Sequence, residues 1–593
     1  MKYNAITILV DSAVWECVGN TRTAVSATPF LDSLKNESIT TTNLYSHAPF
    51  TDAATRSLYS GRNTLDDYSF FFKLNSSPSN HFKSFHDNGY ETYGIYYPYY
   101  MYGKDIQKYI DHSFYSSHFI FMSEWHTFMW FADIIKKREL DDREKKLLCK
   151  RMDLTLDVWI RFYEEVKAHP EKAEMIEEPL KRFDIEEGLD KLYKIRDEFQ
   201  KDKVRFIITF LENGGKPFWD IDKIDFDSLI NNKFIDKEVF ARHHRFFSKA
   251  ARNNFRANVW EELPSIKRVI YGIAMLLKTR NIDEIKFIAN YLTCLFSFKK
   301  MKEQSHHYEW KTETSSYQQM MLATKILKER KGENPFYLSM HVLEPHNYLT
   351  CFTFDKQDAA LIDEEIQVLD EYVDAVGTNF RGNLLYFLSL RYVDYCIEKF
   401  CVQLKEMGLW DTTALLIVAD HGSSYTFHPT HNARVNCFDD ECYHIPMLLR
   451  VPGIAQKEVT HYCNSKDILP TYMDALGLEN DKAFKGHSLL DETHYWPDYV
   501  QTEYTGPGCA EVRGRRLWFS VRNREYMVAY RVAVYEKFED GELVEVHDLK
   551  KDPNCYYNIA NKVDKGKIAP LLDIIRKRLE EVSQDSQEFI EKL

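Results

Sequence analysis

The chain has 593 residues, 44% of them hydrophobic and 28% charged, which is enough for a large core and at least two domains and excludes a disordered chain. Its net charge of -13 leaves no basic excess to neutralise phosphates and excludes a nucleic-acid surface. No basic and apolar leader opens the sequence, and the most apolar long stretch, 384–404, is broken by Arg391, Asp394, Glu398 and Lys399, so no transmembrane segment is expected and the cytoplasm is the expected compartment.

In chain order, residues 5–10 form an apolar, β-branched run that ends in Asp11, and residues 28–35 have the spacing of a helix start. A second helix over 82–88 stops at Gly89, and 91–96 reads as a strand inside a tyrosine-rich run, 90–102, whose rings suit either sheet packing or stacking on sugars. From 105 to 330 the pattern turns helical, with charged-apolar periodicity at 154–166, 185–199 and 266–277. Strand and helix alternation then resumes: a strand over 335–341 ending in His341, a helix over 382–407 stopped by Gly408, and a strand over 412–419 leading into Asp420-His421-Gly422. A strand at 444–450 and a helix at 466–476 follow. Antiparallel strands at 517–521 and 526–535 and a terminal helix over 568–582 close the chain.

These elements predict an α/β fold with a mostly parallel central sheet flanked by helices. Residues 1–104 and 331–495 form the two parts of its core, 105–330 a helical insertion, and 496–593 a small C-terminal α+β subdomain. The eleven cysteines include no CxxC pair and fit reduced thiols. Cys437, Cys442 and His444 lack tetrahedral-zinc spacing and read as core residues.

An acid and an imidazole released by a glycine at the carboxyl end of a buried strand can hold a metal ion, and Asp11 stands at the same end of the first strand. Between these strand ends lies the segment 47–62. Its Thr51 hydroxyl follows a proline-containing loop at a helix start and precedes Arg56 and Arg62. A hydroxyl there either caps the helix or attacks a tetrahedral oxyanion stabilised by helix amides and guanidinium groups.

With Ser60-Gly61-Arg62 at its end, this segment resembles the nucleophile region of the sulfatase branch of the alkaline phosphatase superfamily. Other landmarks follow in order: Thr28-Pro29-Phe30-Leu31-Asp32, Gly89-Tyr90-Glu91-Thr92, the stretch from His341 to His346, Asp394, Asp467-Ile468-Leu469-Pro470-Thr471, Gly486-His487-Ser488-Leu489, and Val546-His547-Asp548-Leu549. The resemblance covers nearly the whole chain outside 105–330 and places Thr51 at the nucleophile. Sulfatases oxidise a cysteine or serine there, which a threonine does not allow, and they carry a second acid where this chain has Ser12. Arg56 also stands one place later than the family's arginine.

The related phosphoethanolamine transferases and lipoteichoic acid synthases use a threonine, one acid on the first strand and an Asp-His pair. Asp11, Thr51, Asp420 and His421 are similar to that set. The resemblance implies that these four hold a divalent cation. Two carboxylates, an imidazole and an alkoxide suit Zn²⁺ or Mn²⁺, with Ca²⁺ the expectation for a sulfatase-like site. It further implies substrate or leaving-group contacts by His341 and His346 and an oxyanion contact by His431 or, as second choice, Arg434, with Arg56 beside the nucleophile. The expected partner is a phosphorylated or sulfated small molecule or glycan. The expected function is phosphoester transfer or hydrolysis at a phosphoethanolamine- or phosphoglycerol-type head group, with sulfate-ester hydrolysis and a catalytically silent glycan-binding protein as alternatives.

Overall fold

The computed structural model describes residues 2–18, 25–96, 102–116, 123–173, 185–215, 242–247, 249–250, 253, 315–346, 358–377, 383–423, 438–505, 516–533, 536–555 and 557–592. Its strands are β1 (Asn4–Val10), β2 (Ile39–Thr41), β3 (Leu44–Tyr45), β4 (Glu91–Tyr96), β5 (His112–Tyr115), β6 (Phe336–Val342), β7 (Thr413–Val418), β8 (Met447–Arg450), β9 (Lys457–Val459), β10 (Cys463–Asn464), β11 (Tyr499–Thr505), β12 (Arg516–Asn523), β13 (Tyr526–Ala533) and β14 (Glu542–Asp548). The main sheet has the order β5-β4-β6-β1-β7-β8-β2-β9. From β5 to β7 every neighbouring pair is parallel, while β8 runs antiparallel to both β7 and β2.

Helices cover both faces of this sheet, so its centre needs side chains that are apolar on both sides. The sequence supplies them: every residue of β6 and β7 is buried, as is β1 after Asn4. The helix Pro29–Leu34 starts on a proline, and the helix Thr51–Ser60 ends at Gly61, whose φ of 63° is the left-handed conformation of a helix C-cap. Asp394, on the helix Leu384–Glu406, accepts hydrogen bonds from the amides of Phe30 and Leu31 at 3.1 and 2.9 Å. Burial pushes its carboxyl up to about 7, against the pull of those two amides. Two of the sequence landmarks are therefore one structural contact, a helix start held by a distant acid.

The expected strand and helix ends shift by a few residues, and the terminal helix is longer than expected, running Lys565–Lys592. Within 105–330, the helices Ser123–Ile135, Asp142–Ala168, Ile185–Lys201 and Lys203–Glu212 are described, and the expected helix at 266–277 lies outside the described residues. Two elements of that stretch join the core layers. β5 extends the main sheet beyond residue 104, and the helix Ser316–Glu329 packs on β6 and on Leu384–Glu406. No helix of the described residues is long and apolar enough to cross a membrane.

The C-terminal sheet is antiparallel in the order β11-β12-β13-β14. Its side chains alternate as a two-residue period demands: Leu517, Phe519 and Val521 meet Ile568, Ile575 and Leu579 of the terminal helix, whereas Trp518 turns to Tyr504, Ala54 and Phe438. The sheet is thus packed between the terminal helix and the start of Thr51–Ser60. At the other end of that helix, Arg578 of the terminal helix donates to Asp66 Oδ1 at 2.6 Å and to both oxygens of Glu503 at 2.7 and 2.9 Å, with all three residues buried. Breaking such a group from one side leaves uncompensated buried charge and costs about 3–5 kcal/mol. Arg578→Leu is expected to lower unfolding stability by that amount in urea titration, and a loss below about 1 kcal/mol would show that the carboxylates find other partners.

Candidate active site

Register decides which side chains meet. Leu9 pairs with His341 on one side and with Val418 on the other. Successive strand residues alternate between faces, so Asp11, two residues past Leu9, and Asp420, two past Val418, share a face with His341. All three are buried, and each places one ligand atom within 4.8 Å of the others. His341 Nε2 donates to Asp11 Oδ2 at 2.9 Å.

Thr51 enters from the opposite side. Phe50 is extended and packs edge-on against Tyr504, so the helix begins at Thr51 with its hydroxyl facing the strand ends. That hydroxyl donates to Asp11 Oδ2 at 3.1 Å and lies 3.1 Å from His421 Nε2. His421 Nδ1 is 2.6 Å from the Gly422 carbonyl, which can only accept, so Nδ1 carries a hydrogen and the ring is oriented with Nε2 toward Thr51. Gly422 is required by close approach: a Cβ there would lie 1.9 Å from the Glu441 carbonyl. His421 Nε2 also lies 3.6 Å from Asp11 Oδ1 and 3.5 Å from Asp420 Oδ2.

Asp420 Oδ2 is buried with no hydrogen-bond partner among the described residues, 3.5 Å from His421 Nε2. Burial raises the Asp420 carboxyl, and the nearby charge of Asp11 raises it further. Burial would raise Asp11 as well, but the imidazoles of His346, His341 and His421 hold it below the usual carboxylate range. An orphaned carboxylate oxygen among two further oxygens and an imidazole nitrogen is a donor set that fits a divalent cation. Asp11, Thr51, Asp420 and His421 lie together, and Asp11, His341 and Asp420 form a group that could hold a metal ion.

The other expected residues divide. His346, on the turn after β6, is exposed, with its ring 6.3 Å from that of His421 at 76°. Arg56 points elsewhere: its guanidinium pairs with Asp67 at 2.7 Å and donates to the Asp66 carbonyl, because a residue five places after Thr51 lies on another face of the helix. His431 and Arg434 lie outside the described residues. His444 stacks between Trp15 and Tyr45 and donates to the Thr42 carbonyl, a core role, while Cys437 lies outside the described residues. Of the tyrosine run, Tyr90, Tyr93, Tyr96 and Tyr102 are buried in sheet packing, and Tyr97, Tyr99 and Tyr100 lie outside the described residues.

Two supporting residues carried weak sequence signals or none. Ser12 adopts a left-handed φ of 63°, donates its hydroxyl to Asp11 Oδ1 at 2.9 Å and its amide to Asp420 Oδ1 at 3.2 Å. Its only mark in the sequence is that it replaces an acid. Tyr386 donates to the Ser12 carbonyl at 2.8 Å and accepts from the Val14 amide at 3.0 Å, a clamp across more than 370 residues that no local pattern announces.

The family model described as Sulfatase matches residues 277–478, a stretch that contains His341, His346, Asp420 and His421 but not Asp11 or Thr51. An arylsulfatase of Clostridium perfringens is 24% identical over 289 residues, covering 43% of this chain and 56% of the relative. Lipoteichoic acid synthase 1 of Bacillus subtilis is 28% identical over 177 residues, covering 28% of this chain and 25% of the relative. The chain thus spans about half the length of the first and a quarter of the second. Among solved structures, the phosphonate monoester hydrolase of Agrobacterium radiobacter aligns over 98% of this chain and 96% of its own, with 16% identity and a TM-score of 0.49. In its ordered landmarks and these sequence matches, the chain is similar to the sulfatase-like branch of the alkaline phosphatase superfamily.

Proposed function

We propose that this protein is a metal-dependent phosphoester transferase or hydrolase in which Thr51 attacks the phosphorus of a phosphodiester head group, of phosphoethanolamine or phosphoglycerol type, on a glycan or its precursor. The observation that carries this reading is the Thr51 hydroxyl held between Asp11 Oδ2 and His421 Nε2. A threonine cannot give the aldehyde on which sulfatase chemistry depends, which favours phosphorus over sulfur.

Asp11, Thr51, Asp420 and His421, with His341 beside them, are the residues that would hold the cation, and their mixed oxygen and nitrogen donors favour Zn²⁺ or Mn²⁺ over Ca²⁺. When bound, that ion would lower the pKa of the Thr51 hydroxyl and balance charge on the phosphoryl oxygens. Asp11 accepts the hydroxyl hydrogen and so turns an oxygen lone pair outward, toward an incoming phosphorus. Thr51 loses its hydroxyl proton to solvent, its Oγ1–P bond forms as the P–O bond to the head group's alcohol breaks, and His346, exposed beside the site, donates a proton to that leaving oxygen. Water or a second hydroxyl then attacks the phosphothreonine and frees Thr51.

Thr51→Ala is expected to lower phosphodiester turnover at least about a thousandfold, and intact-mass analysis of the wild type with slow aryl phosphodiesters is expected to show a phosphorus-containing adduct that the variant lacks. Faster turnover of aryl sulfates than of aryl phosphodiesters would overturn the choice of phosphorus. Chelation is expected to abolish turnover and Zn²⁺ or Mn²⁺ to restore it, as followed by initial rates and metal analysis. Full activity in metal-free protein would contradict the assigned role of the carboxylates.

A further inference from the structure

The crevice side chains on β1, β6 and β7 are fixed by the sheet, whereas His346 projects from the turn that follows β6. The turn runs Leu343-Glu344-Pro345-His346, and its first three residues are buried while the histidine is exposed. Glu344 points inward, away from any substrate. Its carboxylate accepts from both the backbone amide and the hydroxyl of Ser316. The amides of Leu343 and of Glu344 itself also bond to it. Burial pushes this carboxyl up from its ordinary range, and the four donors pull it back.

Ser316 opens the helix Ser316–Glu329, so the carboxylate sits at a helix N-terminus, where negative charge is favoured. That helix start is separately fixed by a capping box between Ser315 and Gln318, and the helix packs on β6 and Leu384–Glu406. Glu344 therefore fastens the turn to a rigid element on one side, and Pro345 restricts the backbone torsion immediately before His346 on the other. An imidazole held this way keeps one position beside His421, whereas one on a free turn would sample many.

We infer that Glu344 is the positioning residue for His346, acting through its bonds to Ser316 rather than through contact with substrate. The kinetic consequence rests on the proposed proton donation by His346, while the structural consequence does not. A misplacement of about 1 Å can cost a hundredfold in rate, and a lost proton donor is felt most where the leaving group is a poor one.

The test uses the full chain with phenyl and 4-nitrophenyl phosphodiesters. Glu344→Ala is expected to lower kcat about tenfold more for the phenyl than for the 4-nitrophenyl ester, with KM changing less than about threefold, and to add less than about twofold to the loss in His346→Ala. Glu344→Gln, which keeps a carbonyl oxygen for the Ser316 amide, should recover most of that loss. Equal losses for the two leaving groups, persisting in the His346→Ala background, would overturn the inference in favour of a stabilising role alone. Should Glu344→Ala not fold, Ser316→Ala removes one donor and is expected to show the same leaving-group pattern in weaker form. Independently of turnover, the ¹³C-histidine resonance assigned to His346 by its absence in His346→Ala is expected to shift or broaden in Ser316→Ala. An unmoved resonance overturns the positioning role, and a moved resonance in a protein that cleaves neither ester refutes the proposed donation while leaving the positioning intact.

Discussion

Two buried carboxylates of like charge, Asp11 and Asp420, end adjacent parallel strands, and the architecture around them serves to make that arrangement tolerable. Their separation is fixed by the strand pairing, so neither can relax away from the other without breaking the centre of the sheet. Imidazoles from β6, from the residue after Asp420 and from the turn at His346 offset part of the charge. Ser12 adds a hydroxyl and an amide from a left-handed backbone that Tyr386 clamps in place. One oxygen of Asp420 still has no hydrogen-bond partner among the described residues. Uncompensated buried charge of this kind costs several kcal/mol unless a cation meets it, and that links the stability of the strand ends to the chemistry of Thr51.

The nucleophile helix is positioned by parts of the chain far from it in sequence. Phe50 and Ala54 at its start pack on the C-terminal sheet, and the loop beyond its end is held by Arg578 of the terminal helix. The C-terminal sheet is therefore part of the frame that sets the distance between Thr51 and Asp11. The position expected for a catalytic arginine serves this frame too: Arg56 and Arg62 both grip Asp67, whose own φ of 57° is left-handed. Charge that a nucleophile-based reading assigns to an oxyanion is used here to hold the loop that ends the helix.

How much of this was legible in sequence follows from the range of each interaction. The central strands were, because burial on both faces leaves uninterrupted apolar runs, and the acids at their ends stood out against those runs. β2, β3, β9 and β10 are two or three residues long and exist only through partners hundreds of residues away, so no local pattern marks them. The grouping of His341 with Asp11 and Asp420 depends on the pairing of Leu9 with His341, a register that the sequence does not display. The destination of Arg56 was hidden for the same reason, since Asp67 reaches it through backbone conformations uncommon for non-glycine residues. The place of Thr51 at a helix start was legible because that start and its spacing from Gly61 are local features.

The central claim is that the carboxylate pair and Thr51 form one cation site. Its most direct test is an anomalous-scattering map from crystals grown with Zn²⁺ or Mn²⁺, measured at the absorption edge of the metal. The account predicts a single strong peak within bonding distance of Asp11, Thr51, Asp420 and His421. A site without a peak, or a peak bound by other residues with Thr51 left outside its coordination, would contradict it.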